Sequence, residues 1–319
     1  MAPLAGFPGV EMIGSTIKIA QQNFGEHYKA IRALVDDLHP DLVFPLMDLS
    51  VEANALGRFT VFPRDESATV PKEHFGLEEL EHLESINIAF DSRLMGFVET
   101  LKLMSVSLPP DILRGAYVVG PFTLAGLMMG ADDAVMSTVL DPDTLHRLCH
   151  FTTDRIQEYV QLLLAAGAEV ICILEPTAVM LSPEQFSEFS AIYIRHITTS
   201  FKYSGASFVY HTCGNTMHLV QKMARAGVHG VSLDSHDAGV DLPAVASSLP
   251  EDVVVIGNIS PTATMRFGTA KDVRREVTAL LDQMSRYPHF VLSTGCDLPQ
   301  ETPIANIRAF MEAGRGWRK

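Results

Sequence analysis

From about residue 115 onward, short runs of Val, Ile and Leu alternate with longer stretches whose apolar positions recur at helical spacing. That alternation predicts repeated strand–helix units on a parallel sheet. Six apolar runs read as strand ends: GAYVVGPFT (115–123), EVICILEPT (169–177), SFVYHTCG (207–214), GVSLDS (230–235), VVVIGNIS (253–260) and FVLSTGCD (290–297). Upstream, DLVFPLMD (41–48) reads as another buried strand, and the opening MAPLAG supplies a first strand, making eight. Helix starts are marked by Asp141 before Pro142, Ser182 before Pro183, Asp241 before LPAVASSL, and Thr302 before Pro303, because a short polar side chain caps free N–H groups and proline suits a first turn. The expected fold is α/β, a single (β/α)8 TIM barrel forming one domain over residues 1–319. Residues 58–90 break the rhythm, and the Pro, charge and Gly content of RFTVFPRDESATVPKEHFG suits a hairpin or lid-like insertion over the barrel mouth.

Composition narrows the class. Hydrophobic residues are 47% of the chain and charged ones 19%, the balance of a compact globular protein. A formal net charge of −14 and the lack of a basic run disfavour nucleic acid as partner. No segment reaches the roughly 18 consecutive apolar residues of a membrane span, and the start lacks a basic region followed by an apolar stretch. The expectation is a cytoplasmic protein with no membrane contact. Four widely spaced cysteines, Cys149, Cys172, Cys213 and Cys296, suggest free thiols or metal ligands before disulfides.

Two of those cysteines fall where chemistry is expected. Residues two apart on a strand point to the same side, so His211 and Cys213 in YHTCG project together while Thr212 points away. Cys296 ends the strand FVLSTGC, and in such a barrel strand ends meet at one face. An imidazole and two thiolates suit Zn²⁺, and three protein ligands leave a fourth position open for catalysis. The plainer reading is a chance His-x-Cys tripeptide with Cys296 as a small buried hydrophobe. The pattern alone leaves both standing. Glu175 ends ICILEP and faces the same mouth, as a labile fourth zinc ligand or a hydrogen-bonding partner of a substrate. Asp48, Asp234 and Asn258 also lie at strand ends; Asp48 joins Glu175 as a catalytic candidate and Asp234 and Asn258 are candidates for substrate binding, the plainer reading of each being a loop-capping residue.

The motifs MDLSVEANALG (47–57), GPFTLAGLMMG (120–130), EPTAVMLSPEQF (175–186), HTCGN (211–215), GNISP (257–261) and STGCDLPQETP (293–303) cover most of the chain. With them the sequence resembles the uroporphyrinogen decarboxylase superfamily, and more closely its zinc branch, the corrinoid:coenzyme M methyltransferases. The resemblance implies zinc held by His211, Cys213 and Cys296. It also implies a methyl group arriving as methylcobamide on a partner corrinoid protein and leaving on a small-molecule acceptor, coenzyme M or tetrahydrofolate. The decarboxylases carry an arginine-rich segment near the start to hold carboxylates, whereas LAGFPGVE has no arginine. They also have His where this chain has Cys296 and Tyr near Leu127, but Asp48 matches their essential Asp. A decarboxylase-like carboxy-lyase is therefore the runner-up, and a non-catalytic zinc-binding partner of a corrinoid protein comes third. DSHDAG (234–239) matches the D-x-H-x-x-G pattern of cobalamin-binding domains, but the chain has no Gly-Gly for the rest of that motif. Met128, Met129 and Met136 read as core filling.

Overall fold

The structure, a computed structural model, describes residues 1–318. Seven strands form one sheet in sequence order: β1 (Leu42–Val43), β2 (Leu113–Val119), β3 (Val170–Leu174), β4 (Ser207–Thr212), β5 (Gly230–Leu233), β6 (Val254–Ile259) and β7 (Phe290–Thr294). Every neighbouring pair is parallel, and helices lie between successive strands from β1 to β7. Burial on both faces explains the unbroken apolar runs. In β3, Val170, Cys172 and Leu174 join an inner cluster with Phe44, Val209 and Ile256. Ile171 and Ile173 of the same strand join the larger core shared with the helices.

The eighth strand expected at MAPLAG is not part of the ladder. Instead, the first residues run between the two edge strands: Ala2 N–H donates to Leu292 O at 3.0 Å, and Asp41 N–H donates to Met1 O at 3.0 Å. Leu4 packs among the inner apolar side chains, and its N–H donates to Thr294 Oγ1 at 3.1 Å. Pro3 has no N–H to donate, which interrupts ladder pairing in this segment ahead of the helix Gly6–Met12.

Three of the expected caps are made. Asp141 accepts from Thr144 N, Asp241 accepts from Ala244 N, and Ser182 forms a reciprocal capping box with Gln185. Thr302 does not cap. The last helix starts at Ile304 with Pro303 before it, and the Thr302 hydroxyl is buried without a partner.

The 58–90 segment is only partly hairpin-like. Val61 and Thr69 form an isolated antiparallel bridge, and short helices follow at Leu80–Glu84 and Ile88–Phe90. It is fastened at several points: Arg58 lies 3.6 Å from Glu73, Lys72 2.7 Å from Asp133, and the Phe62 ring sits under the Arg93 guanidinium at 4.8 Å.

Candidate metal centre

At the C-terminal ends of β4 and β7 the chain brings His211, Cys213 and Cys296 together. Their ligand atoms all lie within 4.8 Å of one another. His211 Nε2 is 3.6 Å from Cys213 Sγ and 3.8 Å from Cys296 Sγ, and the two sulfurs are 3.2 Å apart. Both cysteines are free thiols. Donors about 2.0–2.3 Å from a tetrahedral zinc ion stand roughly 3.5–3.8 Å from one another. The two nitrogen–sulfur separations match that set, and the sulfur–sulfur separation is somewhat tighter. The soft donors and their spacing fit zinc. The adjacent Cys213 sulfur and then burial push the Cys296 thiol well above its usual range, a proton that metal binding would release.

Local backbone needs explain the surrounding glycines. Gly214 turns the chain immediately after Cys213 at φ +84°, a conformation that side chains rarely adopt. A Cβ on Gly295 would lie 2.5 Å from Ser235 N, so only glycine lets the strand end carrying Cys296 pass this close to the end of β5.

Neighbouring strands supply the supports. Ser232 Oγ, on β5, is 3.0 Å from His211 Nδ1, which leaves Nε2 toward the sulfurs. Asp234 accepts from Gly214 N at 2.7 Å and from Ser235 N at 2.6 Å, tying the turn after Cys213 to the end of β5. Asn258 donates to Asp234 O at 2.9 Å and Val240 O at 3.4 Å. Asp234 and Asn258 thus brace loops beside the cluster. The sequence reading did not single out Ser232, although its place two residues before Asp234, on the same side of β5, was a usable signal.

Glu175 and Asp48 lie in separate networks. Glu175 is fully buried and accepts from Phe122 N at 3.0 Å, Thr123 N at 2.8 Å and Thr123 Oγ1 at 2.6 Å, with Ser190 Oγ at 3.4 Å. Burial raises its pKa to about 7 against the lowering effect of those donors. Its carboxylate sits at the start of the helix Pro121–Met129, where free N–H groups favour an anion. Gly120 is required there, since a Cβ would fall 2.0 Å from Glu175 Cγ. Among the described residues Glu175 is not in the group that could share an ion with the two cysteines. Asp48 is ion-paired with buried Arg93 and accepts from Gln21 Nε2 at 2.7 Å, Ser50 N at 2.9 Å and Ser50 Oγ at 2.7 Å.

A cavity of about 610 Å³ opens beside Cys296. Phe7, Ile17, Met47 and Leu49 give it an apolar side, and Asp65 to Ala68 of the 58–90 segment form part of its rim. Arg266, Asp297, Gln300 and Glu301 supply further polar wall. Among the described residues no helix is long and apolar enough to cross a membrane.

Comparison with known proteins places these features. Residues 14–317 match the family model described as uroporphyrinogen decarboxylase (URO-D). A methylcobamide:CoM methyltransferase of Methanosarcina mazei is 27% identical over 247 residues, covering 76% of this chain and 70% of that protein. A uroporphyrinogen decarboxylase of Prochlorococcus marinus is 25% identical over 252 residues, covering 75% and 70%. A solved methyltransferase from Methanosarcina mazei superposes with a TM-score of 0.87 over 98% of this chain and 91% of that one at 20% identity, which shows a shared fold.

Proposed function

The chain belongs to the uroporphyrinogen decarboxylase family, and within it we propose that the protein is a zinc-dependent methyltransferase of one barrel domain. It takes a methyl group from a methyl-Co(III) corrinoid on a partner protein and transfers it to a thiol such as coenzyme M, or to tetrahydrofolate. The observation carrying this reading is the His211, Cys213 and Cys296 cluster, of which Cys296 lines an open cavity. Its support is the likeness to methylcobamide:CoM methyltransferases.

His211 Nε2 and the two sulfurs would hold the ion. When bound there, zinc supplies Lewis acidity that makes a thiolate nucleophile available at neutral pH. The chain's own part is positional. Ser232 holds the His211 ring by Nδ1, Asp234 holds the turn after Cys213, and Gly295 lets the strand end carrying Cys296 close against β5. Phe7, Ile17, Met47 and Leu49 would exclude water from the acceptor's stem. Glu175 and Asp48, the expected catalytic carboxylates, would act by fixing the strand ends around the centre. Asp234 and Asn258, expected to bind substrate, would brace its loops.

The decarboxylase-like alternative has less support. A porphyrinogen bearing several carboxylates needs cations, whereas the cavity wall holds one guanidinium, Arg266, beside Asp65, Glu66, Asp297 and Glu301.

The test is elemental analysis of the purified protein and of Cys213→Ser and Cys296→Ser, followed by thiol-dependent demethylation of methylcobalamin. About one zinc per chain is expected, with metal and demethylation lost together in both variants. A native protein that takes up no zinc when offered it, yet decarboxylates a porphyrinogen, would overturn the reading.

A further inference from the structure

The four cysteines divide by burial into two pairs. Cys149 and Cys172 are 0% and 2% exposed and lie within the core clusters, which shields both sulfurs from a dissolved oxidant. Cys213 and Cys296 are half-buried, and Cys296 lines the cavity of about 610 Å³. Their sulfurs are 3.2 Å apart, closer than the roughly 3.8 Å that separates two thiolates on one tetrahedral zinc ion. A disulfide spans about 2.05 Å, so about 1.1 Å of sulfur movement would join them. The two residues lie 83 positions apart, just beyond the ends of β4 and β7. Those strands are not neighbours in the sheet, so the bond would tie together two loops that the ladder leaves separate.

We infer that Cys213 and Cys296 are a reversible redox pair: a peroxide joins them in a disulfide, which withdraws both thiolates from the proposed zinc centre, and a dithiol restores them. The pairing follows from the distance between the sulfurs, whereas its effect on the protein rests on the zinc methyl-transfer reading of the same residues. One of the two sulfurs attacks a peroxide oxygen, the O–O bond breaks, and water leaves with that cysteine as a sulfenic acid. The other sulfur then attacks the oxidised one, the S–S bond forms and a second water leaves. Two thiols and one hydrogen peroxide thus give one disulfide and two waters, the sulfurs being oxidised and the peroxide oxygens reduced. A sulfur without a neighbour goes on to sulfinic acid, which a dithiol does not reduce, so the adjacent second sulfur is what makes the oxidation reversible. Once the disulfide closes, His211 is the one ligand left, short of the three that a catalytic zinc site uses.

The test treats the full chain, metal-free and zinc-loaded, with hydrogen peroxide and then with dithiothreitol. Free thiols counted in denaturant should fall from four to two per chain, and peptide mass spectrometry should place the link between Cys213 and Cys296 within one chain. In the zinc-loaded protein about one zinc should be released for each bridge formed, read with a chromogenic chelator, and dithiothreitol should restore four thiols and zinc uptake. Cys213→Ser and Cys296→Ser each keep a lone sulfur at the site, which peroxide should carry to a sulfinic acid that dithiothreitol leaves in place. A link to Cys149 or Cys172, a link between two chains, or sulfinic acid at Cys213 or Cys296 of the parent protein overturns the redox pair. Survival of all four thiols in the peroxide-treated metal-free chain overturns it too, and leaves the zinc reading standing. A bridge that forms and reverses in a chain that takes up no zinc when reduced keeps the redox pair and overturns the zinc reading.

Discussion

Ser232 makes a single contact of consequence, 3.0 Å from His211 Nδ1, yet that contact decides which ring nitrogen faces the two sulfurs. Removing such an outer partner typically weakens metal binding by roughly tenfold to a hundredfold. Ser232→Ala should therefore raise the zinc dissociation constant by about that factor in a chelator competition, with unchanged secondary structure by circular dichroism. An unchanged affinity would remove Ser232 from the centre. Arg93 stands in a different position, since losing it strands the buried Asp48 carboxylate it is paired with. Arg93→Met should cost about 3–5 kcal/mol in urea unfolding. The three candidate ligands were legible in the sequence because His211 and Cys213 share a strand side and Cys296 ends another strand. The Asp48 partner was not legible. Arg93 lies 45 residues away in an ordinary helical stretch, and nothing in local spacing marks which of 24 basic residues folds back.

At the scale of elements, β2 to β7 fall inside the apolar runs that predicted strands, apart from the first two residues of β2. Strands buried on both faces announce themselves by unbroken Val and Ile runs, and β3 with VICIL is the plainest. The opening segment carried no such signal, since its place between β1 and β7 is set by two long-range backbone hydrogen bonds and by Leu4. Leu4 is 4% exposed and reaches the inner cluster of Phe44, Val170 and Ile256. Leu4→Ala should thus destabilise the protein by about 2–5 kcal/mol, as truncation of a buried leucine does. Urea midpoints with unchanged slope would register it. A change below about 0.5 kcal/mol would mean that the segment drapes over the sheet and does not fill it. Thr302 shows the opposite failure of local reasoning: a capping residue type stands next to a helix start, but the chain enters the helix through Pro303.

Across the whole molecule, two buried titratable groups near Arg93 tie stability to pH with opposite signs. Burial, and then the Arg93 charge, lower His27 from its usual 6.5 to about 3, and His27 Nε2 accepts from Leu46 N at 2.8 Å, a role that needs the neutral ring. The unfolded chain takes up that proton first, so this contribution is complete above pH 6.5 and is lost as pH falls toward 3. Burial raises Glu52 from 4.5 to about 8, against donation from Val119 N. The folded state holds that proton longer than the unfolded chain, so its contribution is complete below pH 4.5 and is lost as pH rises through 8. Stability should therefore decline toward both ends, with the acid limb owed to His27 and the alkaline limb to Glu52. Glu52→Gln keeps an acceptor for Val119 N and removes the titration, so urea midpoints measured from pH 5 to 9 should flatten on the alkaline side alone. If the variant declines with rising pH as steeply as the parent, the alkaline limb belongs to another group and Glu52 is ionised in the folded protein. If it flattens, a neutral glutamic acid lies beside the Asp48–Arg93 pair, and the buried charge balance there is held by one carboxylate against one guanidinium.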